Sequence, residues 1–290
     1  MAHTEANLQD FLERSEAPDS PPRILYPIFS THDSFTFETA LHIAAGVEGE
    51  LIVLDLLTDE VLRTPETTRI GRKLLQAHVD ETHSAEAHLI AEETNSPLKT
   101  TIKVAQQRDV ELVVLDKHTP DLLGEGLRGG AADRIRKNSP CDVVSVTYSR
   151  TGSGISSVLV PLAEGKHSSL GVVVGGALAA GANAVVDLFH VSQDKDDAEI
   201  ARVSELFEAE RERVPESVEL DTWHLEAPDV AEAIINESAY YDVTVIGKPT
   251  QSRLREFMTG SITEAVAEES ENAVLTVQRN DGEGFRFESH

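Results

Sequence analysis

This chain has one cysteine, one tryptophan, two methionines and only 5% aromatic residues. It is also poor in positive charge. Its 25 Lys and Arg, only 8 of them Lys, face 51 Asp and Glu, for a net charge of −26. Each scarcity excludes something. A lone cysteine, Cys141, cannot close an internal disulfide, which fits a reducing cytoplasm. Its place in the apolar run 141–146 reads as a buried small side chain, not a nucleophile. So acidic a surface repels phosphate backbones and anionic headgroups, so neither nucleic acid nor a membrane surface is an expected partner. Charge of one sign can mean disorder, but 40% hydrophobic residues in distinct short runs point to a folded core. Little Lys beside abundant Asp and Glu reads as a halophilic protein with a hydrated acidic shell in a salt-rich cytoplasm; an ordinary acidic cytosolic protein is the alternative. The first 22 residues are polar and lack the apolar stretch of a secretory leader.

Long hydrophobic runs are scarce too, with one exception. Residues 168–186 are 19 in a row without a charge, including Gly171-x-x-x-Gly175. The length and glycine spacing imitate a membrane span. The run is mostly Gly, Ala and Ser, however, and its counterpart at 34–53 carries Glu38, His42, Glu48 and Glu50. It is therefore expected to be a small-residue helix packed tightly on a sheet, followed by a buried strand, with no membrane insertion.

That counterpart exists because the chain repeats itself. Ile24-Leu25-Tyr26-Pro27 recurs as Val158-Leu159-Val160-Pro161, Val113–Asp116 as Thr244–Gly247, and Asp142–Val146 as Ala273–Val277. The offset stays between 131 and 135, the length of a domain and not of a solenoid unit. The organisation expected is an N-terminal extension (1–22), a first domain (23–150), a joint rich in Gly and Ser, a second domain (155–278) and a tail (279–290). Within each copy, short apolar strands alternate with helices. Strands are expected at 24–29, 51–57, 88–91, 112–115 and 143–146, and helices at 34–45, 67–81, 98–108 and 130–137. The second copy repeats the order: strands at 157–162, 184–191, 218–225, 243–246 and 273–278, helices at 168–180, 196–213, 229–240 and 261–269. A short helix is expected near 7–14. This pattern is α/β: two tandem doubly wound, five-stranded parallel sheets. The last strands, Val143–Val146 and Val274–Val277, are candidates to pair within the chain as a pseudo-dimer, which removes two exposed edges; a homodimer of whole chains is a further expectation.

Ligands in such folds sit at the carboxyl ends of the strands, where strand order reverses. After strand four the second copy reads Gly247-Lys248-Pro-Thr250-Gln-Ser-Arg253-Leu-Arg255-Glu256-Phe-Met-Thr-Gly260-Ser261, and Ile262 continues into a helix. Lys248, Arg253 and Arg255 against Glu256 give this loop a net +2 in a strongly negative protein. A Gly-Ser pair at a helix start offers free N–H groups to a phosphate. A solvated loop with Ser261 as N-cap explains the residues equally well. The first-copy loop, 116–130, has net charge −1 and Gly130 in place of the hydroxyl residue. Its Gly124-x-Gly126-x-x-Gly129 lies beyond strand four, the wrong place for a nicotinamide fingerprint. No catalytic constellation and no metal site stand out. His78, His83 and His88 are five apart and do not share a helix face, even with Asp80 nearby. His190 reads as a hydrogen-bonded core group, and Trp223 as packed on the core or an interface.

These residues resemble the universal stress protein family, of the adenine nucleotide α-hydrolase-like superfamily, over 24–149 and 155–278. The family motif, Gly-x2-Gly-x9-Gly-Ser/Thr, matches at Gly247, Gly260 and Ser261, with Thr250 at the second Gly. In the first copy only Gly129 matches, with Asp116, Thr119 and Gly130 elsewhere. The family's ribose-binding acid, two residues after the strand-one Pro (Pro27, Pro161), is replaced by Phe29 and Ala163. Val191, or Leu56 in the first copy, stands where the family contacts adenine. The resemblance implies a strand order of 3-2-1-4-5 and a non-enzymatic cytoplasmic stress-response module. Its second domain would sense an adenine nucleotide, ATP or AMP, or a related anion, through Pro161, Ala163, Val191, Gly247, Lys248, Thr250, Arg253, Gly260, Ser261 and Ile262. The alternative is a nucleotide-independent adaptor that regulates a protein partner such as a transporter.

Overall fold

The computed structural model describes residues 21–29, 33–59, 85–116, 130–148, 154–194, 196–248, 262–280 and 285. The expected helices at 7–14 and 67–81 lie outside the described residues. The strands are β1 (Arg23–Ile28), β2 (Glu50–Leu57), β3 (Glu86–Glu93), β4 (Leu112–Asp116), β5 (Asp142–Thr147), β6 (Ser157–Pro161), β7 (Val185–Ser192), β8 (Leu220–Glu226), β9 (Val243–Gly247) and β10 (Ala273–Gln278). The described helices are α1 (Ser34–Gly46), α2 (Pro97–Gln107), α3 (Ala131–Asn138), α4 (Lys166–Ala182), α5 (Asp197–Arg211), α6 (Val230–Ser238) and α7 (Ile262–Glu269). The expected bounds shift by one or two residues at most of these.

The strand order is β3-β2-β1-β4-β5-β10-β9-β6-β7-β8, which is 3-2-1-4-5 twice, joined back to back. The two five-stranded sheets thus form one continuous ten-stranded sheet. The junction is the expected pairing of last strands: β5 and β10 run antiparallel, with Val146 opposite Leu275 and Val144 opposite Val277. All other pairs are parallel. The central strands are mostly apolar and buried because both faces are covered. The edge strands β3 and β8 are largely exposed and carry Glu86, Glu92, Glu93, Asp221 and Glu226, charges that discourage edge-to-edge association. Trp223 sits on edge strand β8 and is 57% exposed, which rules out the core and leaves the interface of the two expected positions.

The two faces are organised differently. On one, α1 and α4 lie side by side over a single core that runs through both halves, from Ile24 and Tyr26 to Val160 and Leu275. On the other, each half has its own core, under α2 and α3 in the first and α6 and α7 in the second. The small residues of α4 serve the shared face. A Cβ on Gly181 would lie 1.9 Å from the His42 carbonyl oxygen, and one on Gly46 the same distance from that of Ala177. The His42 Nδ1 also lies 3.0 Å from the Gly181 carbonyl. The charge-free run thus packs on a sheet, as expected, and on a helix of the other half. No described helix is long and apolar enough to cross a membrane.

Beyond β10 the chain crosses to the first half. The buried Asp142 carboxylate accepts the N–H of Asn280 at 2.7 Å, that of Phe285 at 2.9 Å, and the Arg279 Nε–H at 3.3 Å. Phe285 itself is fully buried. Nearby Cys141 is buried, donates its S–H to the Val110 carbonyl at 2.9 Å, and has its pKa pushed by burial up to about 11. Native protein is therefore expected to resist a thiol-specific alkylating reagent at pH 8 and to react fully once unfolded; rapid native labelling, followed by mass, is the contrary result.

Candidate nucleotide and anion site

A crevice opens in each half where strand order reverses. β6 pairs with β9 only at Val158–Val243 and Leu159–Thr244, while β6 stays paired with β7 as far as Pro161–Phe189. Toward their carboxyl ends β6 and β9 therefore part. β1 and β4 do the same after Leu25–Val113. The first turn of α4 comes up against the end of β9 at this opening. A Cβ on Gly247 would stand 2.6 Å from the carbonyl carbon of His167, so the glycine is required by the approach of the helix.

The candidate residues fall around the second crevice, though not all of them are described. Pro161 is buried at the end of β6. Ala163 follows in the turn, half-buried, its N–H donated to the Ser168 Oγ at 2.8 Å. Val191 is buried on β7 in the apolar cluster with Leu159 and Ile246. Ile262 opens α7, and the next residue, Thr263, donates its hydroxyl to the Gly247 carbonyl at 2.9 Å, tying the helix start to the strand end. Thr250, Arg253, Gly260 and Ser261 lie outside the described residues, as does Gly129. The structure thus brings Pro161, Ala163, Val191, Gly247 and Ile262 to neighbouring strand ends and one helix start.

In the sequence Lys248 stands as free positive charge for an anion; in the structure it is not free. Its Nζ instead donates to the Asp133 Oδ1 at 3.1 Å, on α3 of the first half, and both side chains are only partly exposed. The pairing joins positions 115 residues apart and is invisible to a reading of the loop alone. Arg253 and Arg255 against Glu256 leave the loop with a net +1 after it.

The first crevice is built with the opposite electrostatics. Asp116 ends β4, and Asp33 caps α1 by accepting the Thr36 N–H at 2.7 Å. The Tyr148 hydroxyl donates to the same Asp33 carboxylate, and the Tyr26 hydroxyl reaches the Asp33 carbonyl at 3.2 Å. Tyr26 is pushed above the ordinary phenol range, first by burial and then by the negative charges of Asp33 and Asp116. Tyr148 is raised first by its bond to Asp33, and Asp116 adds to it. Phe29 and Leu56, which match the ribose and adenine positions, are buried. Gly130 sits before α3 with no side-chain cap.

Two clusters of potential ligand atoms were not expected. His190, Glu199 and His224 converge beside the second crevice, and Glu50, Glu86 and His88 converge at the start of β2 and β3. In the second group Glu50 is already neutralised by Arg23 at 3.2 Å, both nearly fully buried. His190 itself fits the expected core role: it is 8% exposed, with Nδ1 2.7 Å from the Leu162 carbonyl. Its neighbours Glu199 and His224 are distant in sequence, on α5 and β8.

Residues 22–147 match the model of the Universal stress protein family. No curated protein matches the chain. Three solved structures share its fold over nearly its whole length. A universal stress protein from Archaeoglobus fulgidus has 18% identity and a TM-score of 0.58, covering 91% of this chain and 98% of that one. A functionally unknown protein from Pseudomonas aeruginosa PAO1 has 18% identity and a TM-score of 0.57, covering 93% and 95%. The cytoplasmic domain of a prokaryotic cation chloride cotransporter has 10% identity and a TM-score of 0.55, covering 91% and 98%.

Proposed function

We propose, starting from the membership of residues 22–147 in the universal stress protein family, that this chain is a non-enzymatic cytoplasmic regulator whose second half senses an adenine nucleotide or a related anion. The observation that carries the reading is the contrast between two crevices of the same geometry. The first has Asp116 and Asp33 beside it, charges that repel phosphate. The second ends β9 at Gly247 and continues into the basic loop that leads to α7. On this reading ATP or AMP binds there, with phosphates against Gly260 and Ser261 and adenine near Val191. The loop's only carboxylate is Glu256, too few for the base and metal ligand that a hydrolase needs.

A second reading has one observation in its favour. Trp223 and Leu225 are exposed together on β8, 57% and 42%, a surface suited to a protein partner. On that reading the chain is a nucleotide-independent adaptor.

Titration calorimetry of the full-length protein with ATP and AMP at high salt separates the two. Gly260→Asp is expected to abolish binding and Gly129→Asp to leave it intact. Ala163→Asp restores a ribose acceptor at a half-buried position. A charge-assisted hydrogen bond of about 1.5–3 kcal/mol tightens binding about tenfold or more. Binding lost only in Gly129→Asp would transfer the site to the first half, and no heat from either nucleotide would favour the adaptor.

A further inference from the structure

The constellation around His190 is a binding site of another kind. The His190 Nδ1 lies 2.7 Å from the Leu162 carbonyl, which makes Nδ1 the protonated nitrogen and leaves the lone pair on Nε2. That lone pair faces the Glu199 carboxylate at 3.6 Å. The His224 ring meets His190 edge to face, with centroids 5.5 Å apart, and its Nε2 contacts the Ser192 hydroxyl. One atom each from His190, Glu199 and His224 lies within 4.8 Å of the others. Ligands of a tetrahedral Zn2+ stand about 3.4 Å apart, so side-chain rotation closes the gap without moving a strand. A backbone carbonyl holding the far nitrogen of an imidazole is the outer-shell arrangement of metal-binding histidines.

The duplication supplies a control. The position matching His190 across the sheet register is Asp55, and the one matching His224 is Ala91. The first half builds the same strand pair without either imidazole, so the fold does not require them. A cation already stands at the cluster. Arg202 donates to both oxygens of Glu199, at 2.7 and 2.8 Å, and its Nη2 lies 3.5 Å from the His190 Nε2. A second carboxylate, Glu164, also holds this guanidinium.

We propose that His190, Glu199 and His224 form a site for a divalent transition metal of the zinc class, and that Arg202 holds Glu199 in the metal-free protein. Two imidazoles and one carboxylate are the donor set that zinc takes with one position left for water. The partial exposure of Glu199 and His224 gives the ion a way in. On binding, Arg202 leaves Glu199 and keeps Glu164. The site lies beside the crevice but does not depend on nucleotide binding there.

The test is titration of untagged, full-length, nucleotide-free protein with Co2+ at high salt, followed by its visible spectrum. We expect one equivalent to give the strong absorption of a four-coordinate ion, displaced by Zn2+. Carboxylates elsewhere on the acidic surface give only the weak bands of six-coordinate oxygen sites. His190→Gln and His224→Gln should each weaken binding about tenfold or more. Arg202→Gln should tighten it, a result that a purely structural role for the cluster does not produce. The unfolding midpoint of each variant is measured alongside; if His190→Gln does not fold, the half-exposed His224→Gln decides. No visible band, or a band unchanged in His224→Gln, overturns the assignment.

Discussion

Gly181→Ala is expected to lower the unfolding midpoint sharply, whereas Gly171→Ala, ten residues earlier on the same helix, should leave it unchanged or raise it. At Gly181 the new methyl would fall 1.9 Å from the His42 carbonyl oxygen, a backbone atom on the facing helix. No rotamer relieves that contact; α1 and α4 have to separate. Their separation opens the one core shared by both halves. The cost is expected near the top of the range for overpacked interiors, about 3 kcal/mol, which is about 5 °C for a protein of this size. Gly46→Ala meets Ala177 in the same way and should match it. At Gly171 the nearest atoms would be 3.7–3.9 Å away, ordinary contact, and alanine gains up to about 1 kcal/mol of helix propensity over glycine. Thermal unfolding of the three variants checks this. Equal shifts at 171 and 181 would mean that the helices do not interlock.

The same junction shows what the sequence made legible. The repeat, the strand runs and the pairing of Val143–Val146 with Val274–Val277 were readable because each rests on local periodicity and on comparison of the two copies. That α4 packs on a sheet followed from its small residues and its charged counterpart. That it also interlocks with α1 did not follow, because no local pattern names the facing helix. The Lys248–Asp133 pair is the clearest loss of this kind. A basic residue in a glycine loop reads as an anion ligand until a carboxylate 115 positions away takes it. The choice between core and interface for Trp223 is hidden for a different reason. Aromatic residues on strands are usually covered, but β8 is an edge, and position along the sheet is a property of the whole fold. His190 was readable alone, while its grouping with Glu199, Arg202 and His224 required α5 and two neighbouring strands to be in place. Asp142 shows the limit most sharply: its partners, Arg279, Asn280 and Phe285, lie in a tail whose composition gave no hint of docking.

Lowering the salt is expected to destabilise the whole protein, more than any exposed single substitution does. A net charge of −26 spread over a folded body of about 25 Å radius repels itself. The screening distance is about 10 Å at 0.1 M salt and about 3 Å at 1 M. In water the self-repulsion of such a sphere comes to about 16 kcal/mol at the lower salt and about 6 kcal/mol at the higher. The unfolded chain carries the same charge at greater separations and cancels much of that difference. A net loss of about 3–5 kcal/mol at low salt lowers the midpoint by about 5–8 °C. The effect comes from the whole surface, so it should rise gradually with potassium chloride and should not saturate at low concentration, as occupancy of one ion site would. Sodium and potassium should act alike, and sulfate should do more, because it also strengthens apolar burial. Ion pairs seen in the structure work the other way and weaken as salt rises. The exposed ones, such as Arg202 with Glu164, are worth at most about 1 kcal/mol each, and those among the described residues are too few to reverse the trend. The measurement is the unfolding midpoint against potassium chloride from about 0.1 M to well above 1 M. A flat curve would set aside the salt-rich cytoplasm and leave an acidic protein of ordinary ionic habits.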